Sequence, residues 1–138
     1  AADSTLTLWA EKLPGNPARL RHSAEVARAR GQLQTAVIVA DSLARLDDLN
    51  WRAIGHHNAA LALVRQGRLR EAQQREVQAV SEADRAREPN AALRFAMARA
   101  QAEIVFRNQP DAAIAQLEAE LTQRPLEELR PGNRPYGR

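Results

Sequence analysis

The sequence predicts an all-α domain made of antiparallel helical hairpins stacked one after another. Strong helix-forming residues dominate its 138 positions, whereas aromatic residues make up only 4%. Apolar residues recur at steps of three and four, which is the spacing of one face of a helix. Glycine, asparagine and proline interrupt these stretches in a recurring order that is typical of helix ends. Together these patterns predict a repeat architecture.

The first predicted hairpin covers residues 17–46. Asn16 followed by Pro17 is typical of a helix start, because asparagine caps the first turn and proline fits the first helical position. Gly31 predicts the end of this helix. The returning helix has one apolar face, formed by Leu33, Ala36, Val37, Ala40 and Leu43.

The second hairpin, residues 50–88, repeats this order. A helix with two adjacent histidines, His56 and His57, runs to a turn at Gly67. The returning helix is predicted to end at Pro89, since the residue before a proline disfavours helical geometry.

The third hairpin, residues 90–124, turns at Asn108, and Pro110 opens its returning helix. The interval from Gly67 to Asn108 is longer than that from Gly31 to Gly67, so the period is approximate. Residues 1–14 predict a leading helix, and residues 125–138 a tail or the start of a further repeat of a longer protein. Inward positions are predicted at Leu93, Ala96, Met97, Ala100, Ile104, Ala113, Ile114, Leu117 and Leu121.

The three hairpins resemble tetratricopeptide repeats, helical hairpins with small residues at fixed positions, a glycine in the turn and a closing proline. The resemblance covers roughly residues 17 to 125. Most of the family's aromatic positions are not kept, and Glu76, Gln101 and Glu120 depart from the pattern. Among the matching positions are Leu20, Ala24, Ala27, Gly31, Ala36, Ala40, Ala59, Ala60, Gly67, Ala72, Ala79, Ala100, Ala113 and Pro125.

This resemblance implies that the first helices of successive hairpins line a concave groove that binds a peptide or protein segment, without a cofactor or catalysis. Some family members grip a C-terminal carboxylate with basic and asparagine side chains. Arg21, Asn58 and Arg99 match those positions, whereas Glu25 and Phe95 replace the residues expected there. The resemblance places further groove candidates at Arg28, Ile54, His57, Leu61, Arg65, Phe95 and Ala102.

Each of these residues also has a simpler interpretation. Exposed arginines are usually only solvated, and apolar groove residues can equally pack against a neighbouring hairpin. His56 and His57 are adjacent on a helix and point about 100° apart, so sharing one metal ion is unfavourable. No nucleophile lies beside a base, and no phosphate-binding loop is evident, so an enzyme is not predicted.

Charge and hydropathy restrict the classes of partner that the chain is expected to bind. Twenty basic residues against seventeen acidic ones give a net charge of only +3, and the signs alternate. Scattered aromatic residues do not favour single-stranded nucleic acid. No apolar run is long enough to span a bilayer, so no membrane is expected. An acidic protein or peptide partner is predicted, with self-association of exposed end helices as the structural alternative. The cysteine-free sequence leaves the compartment open, with a cytoplasmic location favoured.

Overall fold

The computed structural model describes residues 16–124, which form helices and no strand. These helices are α1 (Pro17–Ala29), α2 (Leu33–Ala44), α3 (Leu49–Arg65), α4 (Leu69–Arg85), α5 (Pro89–Arg107) and α6 (Pro110–Gln123). Each helix packs against the next one along the chain, and α1 also contacts α3. The predicted all-α stack of hairpins is confirmed. The leading helix predicted for residues 1–14 and the tail at 125–138 lie outside the described residues.

Local hydrogen bonds set the starts of the helices. The Asn16 side chain accepts a hydrogen bond of 3.2 Å from the Arg19 amide at the start of α1. The Asp48 side chain does the same for α3, accepting from the Trp51 amide at 3.0 Å. Each bond satisfies an amide that has no partner within its helix. Asp48 therefore begins the second hairpin.

Two turns between paired helices use glycine in the left-handed conformation. Gly31 and Gly67 both have φ of +77°, which costs glycine little because it has no Cβ. The amide after each glycine bonds back across the helix end, from Gln32 to Ala27 at 2.9 Å and from Arg68 to Leu63 at 3.0 Å. The turns therefore reverse the chain where the sequence predicts.

The α4–α5 junction differs from its prediction. Arg87 takes φ of +59° after the end of α4, and Glu88 N–H bonds to Ala83 O at 2.9 Å, as at the glycine turns. Pro89 is the first residue of α5 and not the stop of α4. Because proline suits the first helical position, the third hairpin starts one residue earlier than predicted.

Alanine forms most of the core. Leu20, Val39 and Leu43 have almost no exposed surface and pack with Ala24, Ala40 and Ala59 between α1, α2 and α3. A second cluster joins α3, α4 and α5, and consists of Ala53, Ala79, Ala83, Ala92 and Phe95. Small side chains let helix backbones approach closely, which brings the first helices of neighbouring hairpins together.

Gly55 marks a very close approach of α3 to α2. A Cβ at this position would lie 2.4 Å from the Ala44 amide nitrogen and 2.8 Å from the Ala40 carbonyl oxygen. Neither atom can move without displacing the α2 backbone. Gly55 therefore fixes how closely the first two hairpins stack.

Three residues predicted to face inward are exposed. Met97 and Ile104 on α5 are 37% and 46% accessible, and Ile114 on α6 is 52% accessible. The other residues predicted to face inward on α5, namely Leu93, Ala96 and Ala100, are buried. Within residues 16–124, α5 packs chiefly on α4 and α6, and these contacts leave the edges of its apolar stripe open.

Among residues 16–124, none of the helices combines the length and hydropathy needed to cross a membrane.

Candidate functional site

The first helices of the three hairpins line one cavity of about 270 Å³, which we call the arginine cavity. Because α1, α3 and α5 all contribute, only the stacked array forms it. All of the predicted groove residues except Arg65, Arg99 and Ala102 lie there. Its lining residues are Arg21, Glu25, Arg28, Ile54, His57, Asn58, Leu61, Arg94 and Phe95.

Positive charge dominates this cavity, because three guanidinium groups face a single carboxylate, that of Glu25. Arg21 Nε lies 3.9 Å from Glu25 Oε1, and both side chains are nearly half exposed. Such a long, solvated pair is weak. The Arg21 guanidinium also lies over the Trp51 ring, 5.8 Å from its centroid. Neither contact fully occupies the guanidinium, so its charge is available to an anion.

Asn58 connects α1 to α3 through its side-chain amide. Arg28 Nη1 donates to Asn58 Oδ1 at 3.2 Å, and Asn58 Nδ2 donates to the Ile54 carbonyl at 3.0 Å. Asn58 is only 5% exposed. The amide that the resemblance assigns to a ligand is thus engaged within the protein, where it orients Arg28.

Replacing Asn58 by alanine is expected to lower the free energy of unfolding by about 1–2 kcal/mol, because one buried amide and its two hydrogen bonds are lost. Urea unfolding followed by circular dichroism measures this change. Asn50→Ala, at an exposed position of the same helix, is the matched control. Equal losses in the two variants would show that the Asn58 hydrogen bonds contribute nothing.

Three predicted groove residues, Arg65, Arg99 and Ala102, line neither cavity, and the two arginines differ from each other. The Arg65 guanidinium donates to the Arg28 backbone carbonyl and thereby holds the last turn of α1 against α3. Arg99 is half-buried on α5, and its Nε is enclosed without a hydrogen-bond partner among the described residues. The structure gives Arg99 no place in the cavity, since its side chain lies on the packed side of α5.

His57 separates two regions of the groove. Its Nδ1 lies 2.9 Å and 3.1 Å from the two carboxylate oxygens of Glu76 on α4, so Nδ1–H donates to that carboxylate when it is ionised. The imidazole also packs on Phe95, with ring centroids 4.6 Å apart. Glu76 is 4% exposed. Its burial raises the pKa of this carboxyl group, and the hydrogen bond from His57 acts in the opposite direction.

His56 points to a different set of partners. Arg75 Nε donates to His56 Nδ1 at 3.1 Å, and the same guanidinium pairs with Asp41. Burial, and then the charge of Arg75, lower the pKa of His56. The two adjacent imidazoles therefore contact different side chains. Within residues 16–124, no group of three or more histidine, aspartate or glutamate side chains is arranged to hold a metal ion.

A second cavity of about 460 Å³ adjoins the first, and we call it the apolar cavity. His57 and Arg94 line both cavities and form their common wall. Its apolar lining includes residues that are unusually exposed for their type, since Met97, Ile104 and Val105 are 37%, 46% and 61% accessible. The remaining lining residues are Ala98, Ala100, Gln101 and Leu117.

The sequence prediction did not include Arg94, Glu76 or the apolar cavity. A signal for the cavity existed, because Arg94, Ala98, Gln101 and Val105 follow one another at steps of four, three and four on one helix face. Glu76 departs from the repeat pattern, which expects an aromatic residue at its position, but this departure alone does not identify its partner.

Comparison of the chain with protein-family models, with curated proteins and with solved structures found no match. The interpretation of this groove therefore depends on its own geometry and chemistry.

Proposed function

We propose that this chain is a non-catalytic protein-interaction module that holds a peptide, or an exposed segment of a partner protein, in its groove. One observation carries the proposal: side chains from α1, α3 and α5 converge on one cavity that continues into a second. A ligand that crosses all three helices must be elongated. The resemblance to tetratricopeptide repeats supports the same interpretation, because such arrays bind elongated segments across their first helices.

An acidic partner fits this groove best. Arg21 and Arg94 are exposed, and Arg28 is held in place by Asn58 with donors remaining. Clustered guanidinium groups attract carboxylates during encounter and bind them through charge-assisted hydrogen bonds. Glu25 disfavours a carboxylate next to its own side chain, so the anionic group is expected among the three guanidinium groups and away from Glu25.

Catalysis has less support, although His57 with Glu76 beneath it resembles an oriented base. A base needs a nucleophile or a substrate proton within reach. No serine or threonine is among the described residues that line either cavity. The imidazole is therefore better explained as a fixed wall of the groove.

Single-stranded nucleic acid also has little support. Stacking sites need exposed aromatic faces, yet Phe95 is 3% exposed and Trp51 lies beneath Arg21. The structural alternative, a segment of a longer array that self-associates through its end helices, draws on exposed Ile104 and Ile114. It predicts concentration-dependent dimers in sedimentation velocity, whereas an interaction module remains a monomer.

Fluorescence anisotropy of the full chain against labelled acidic peptides tests the proposal. Each peptide is paired with a copy in which Asp and Glu are replaced by Asn and Gln, and oligouridine serves as the nucleic-acid probe. We expect the acidic peptides to bind more tightly than their amide copies. Arg21→Gln combined with Arg94→Gln should weaken them about tenfold, since the two exposed charge-assisted contacts together contribute roughly 1–2 kcal/mol.

Arg45→Gln combined with Arg70→Gln is the matched control, because both are exposed arginines that line neither cavity and their loss changes the net charge equally. If the control weakens the binding of acidic peptides equally, the effect of the cavity arginines is only one of net charge. Binding of oligouridine alone, with a steep salt dependence, would replace the proposal with nucleic-acid binding.

A further inference from the structure

We propose that the groove recognises two side chains of its partner in a fixed order, a carboxylate in the arginine cavity and a large aliphatic side chain in the apolar cavity. This inference rests on the proposed function and adds the chemistry of the partner segment to it.

The two cavities adjoin but differ in chemistry. The arginine cavity combines three guanidinium groups with the amide of Asn58. The apolar cavity is lined chiefly by the side chains of Met97, Ile104, Val105 and Leu117. A ligand that fills both must carry an anionic group and an apolar group close together, because His57 and Arg94 belong to both linings.

The exposure of the apolar lining points to an aliphatic occupant. Val105 is 61% accessible and Ile104 is 46% accessible, and they share one face of α5 with Met97. Clustered apolar groups exposed on a protein surface mark interaction sites. The flexible methionine side chain adapts its shape to an incoming aliphatic group. At about 460 Å³ the cavity falls within the size range of ligand pockets.

The wall between the cavities is fixed, so the order of the two subsites is fixed too. His57 is held on one side by both carboxylate oxygens of Glu76 and on the other by the Phe95 ring. Arg94 stands at the same boundary, with its guanidinium 6.0 Å from the Phe95 ring centroid. Because Arg94 also lines the arginine cavity, its positive charge favours a carboxylate of the partner in that cavity.

Charge complementarity selects the occupant of the apolar cavity as well. A purely aliphatic segment would leave the guanidinium of Arg94 without an anion, and a purely acidic one would leave the apolar lining in water. A partner with a glutamate or aspartate beside a leucine, isoleucine or methionine satisfies both subsites.

The experiment uses fluorescein-labelled Gly/Ser octapeptides that carry one Glu and one Leu, separated by one to four residues and placed in both orders. Control peptides replace Glu with Gln or Leu with Ser. With the full chain, we expect one order at one spacing to bind about tenfold more tightly than its reverse and than either control, since burial of one leucine supplies that factor.

Two variants separate the subsites. Ile104→Asp should remove the preference for Leu over Ser and retain the preference for Glu over Gln, and Arg21→Gln should do the reverse. Both residues are exposed, so the fold is expected to persist, which circular dichroism checks. Ile38→Asp is the matched control, because Ile38 is an exposed isoleucine of α2 at 55% accessibility that lines neither cavity.

Several outcomes would overturn the inference. Equal affinity for both orders would show that the subsites are not ordered, and an unchanged leucine preference in Ile104→Asp would place the aliphatic side chain elsewhere. If the chain is a dimer and Ile104→Asp converts it to a monomer, the occupant of the apolar cavity is a second copy of the chain. If leucine-dependent binding is seen only with the double variant Leu126→Ser/Leu129→Ser, the occupant of the apolar cavity is the chain's own C-terminal segment. Absence of binding to every peptide, here and in the acidic panel, would instead reject the proposed function.

Discussion

Replacing Gly55 by alanine is expected to lower the free energy of unfolding by about 3 kcal/mol, because the added methyl group has no space. Its Cβ would lie 2.4 Å from the Ala44 nitrogen, 2.8 Å from the Ala40 oxygen and 2.8 Å from the Leu43 Cβ. Two of these atoms belong to the backbone of α2, so the helices must separate. Chemical denaturation at neutral pH measures the change.

Gly67→Ala adds the same methyl group at a position with no atom within 4 Å of the new Cβ. Gly67 has φ of +77°, so alanine is expected to lower the free energy of unfolding only by the cost of left-handed geometry, about 1 kcal/mol. Similar losses in the two variants would show that α2 moves freely away from α3. The larger loss at Gly55 would instead establish this helix contact as a determinant of hairpin stacking.

Separation of α2 from α3 also affects the groove. Four residues of α3 line the arginine cavity, and α1 packs on both α2 and α3. A displaced α3 changes the distance between Arg28 and Asn58, which is now bridged at 3.2 Å. Folded Gly55→Ala protein is therefore expected to bind acidic peptides more weakly than Gly67→Ala protein.

Most helix boundaries could be predicted because their causes are local. A capping side chain and a proline at α1, and glycines with positive φ at two turns, act over a few neighbouring residues. Arg87 adopts the same left-handed turn without a glycine, so the boundary at Pro89 was predicted one residue late. Nothing in the residue type alone marks such a site.

Burial was harder to predict at the end of the described array. Apolar periodicity identifies a helix face but not how much of that face a neighbour covers. Ala113 of α6 is buried, whereas Ile114 beside it is 52% exposed. Within residues 16–124, α6 has an extensive contact with α5 alone, and this contact encloses only a narrow stripe of it. The apolar cavity follows from the same incomplete coverage of α5.

The candidate site was predicted where the repeat pattern fixes which helices line the groove. Arg21, Arg28, Ile54, His57, Asn58, Leu61 and Phe95 lie there because they are on first helices. The pairing of His57 with Glu76 was not predicted, because it joins residues of different helices. A charged residue at an aromatic position of the repeat is visible in the sequence, but its reason becomes clear only once its partner is known.

Replacing His57 by alanine is expected to lower the free energy of unfolding by about 2 kcal/mol at pH 7, less than for a fully buried pair because the imidazole is 23% exposed. Glu76 would then remain buried without its donor, and an unpaired buried carboxylate is costly. Urea unfolding of the full chain measures the loss. His22→Ala, at an exposed position of α1, is the matched control.

The loss should depend on pH in a defined direction. Burial raises the pKa of Glu76 in the folded protein above its ordinary value of 4.5, so folding favours the protonated acid. Its contribution to stability is complete below pH 4.5 and is lost as the pH rises through the folded pKa. Without the opposing hydrogen bond from His57 this loss extends further, so the variant's deficit grows between acidic and neutral pH. His56 titrates in both proteins, so its contribution cancels in the difference.

A second substitution separates charge from packing. Glu76→Gln in the His57→Ala background removes the buried charge and should recover much of the deficit at pH 7, while changing little at pH 4. A deficit that is equal at both pH values, and that Glu76→Gln does not reduce, would assign the loss to the contact between His57 and the Phe95 ring. If the charge accounts for it, the carboxylate that fixes the wall of the groove is itself a cost to folding. The His57–Glu76 pair then lowers stability but keeps the boundary between the two subsites rigid, and recognition of two side chains in a fixed order requires such a boundary.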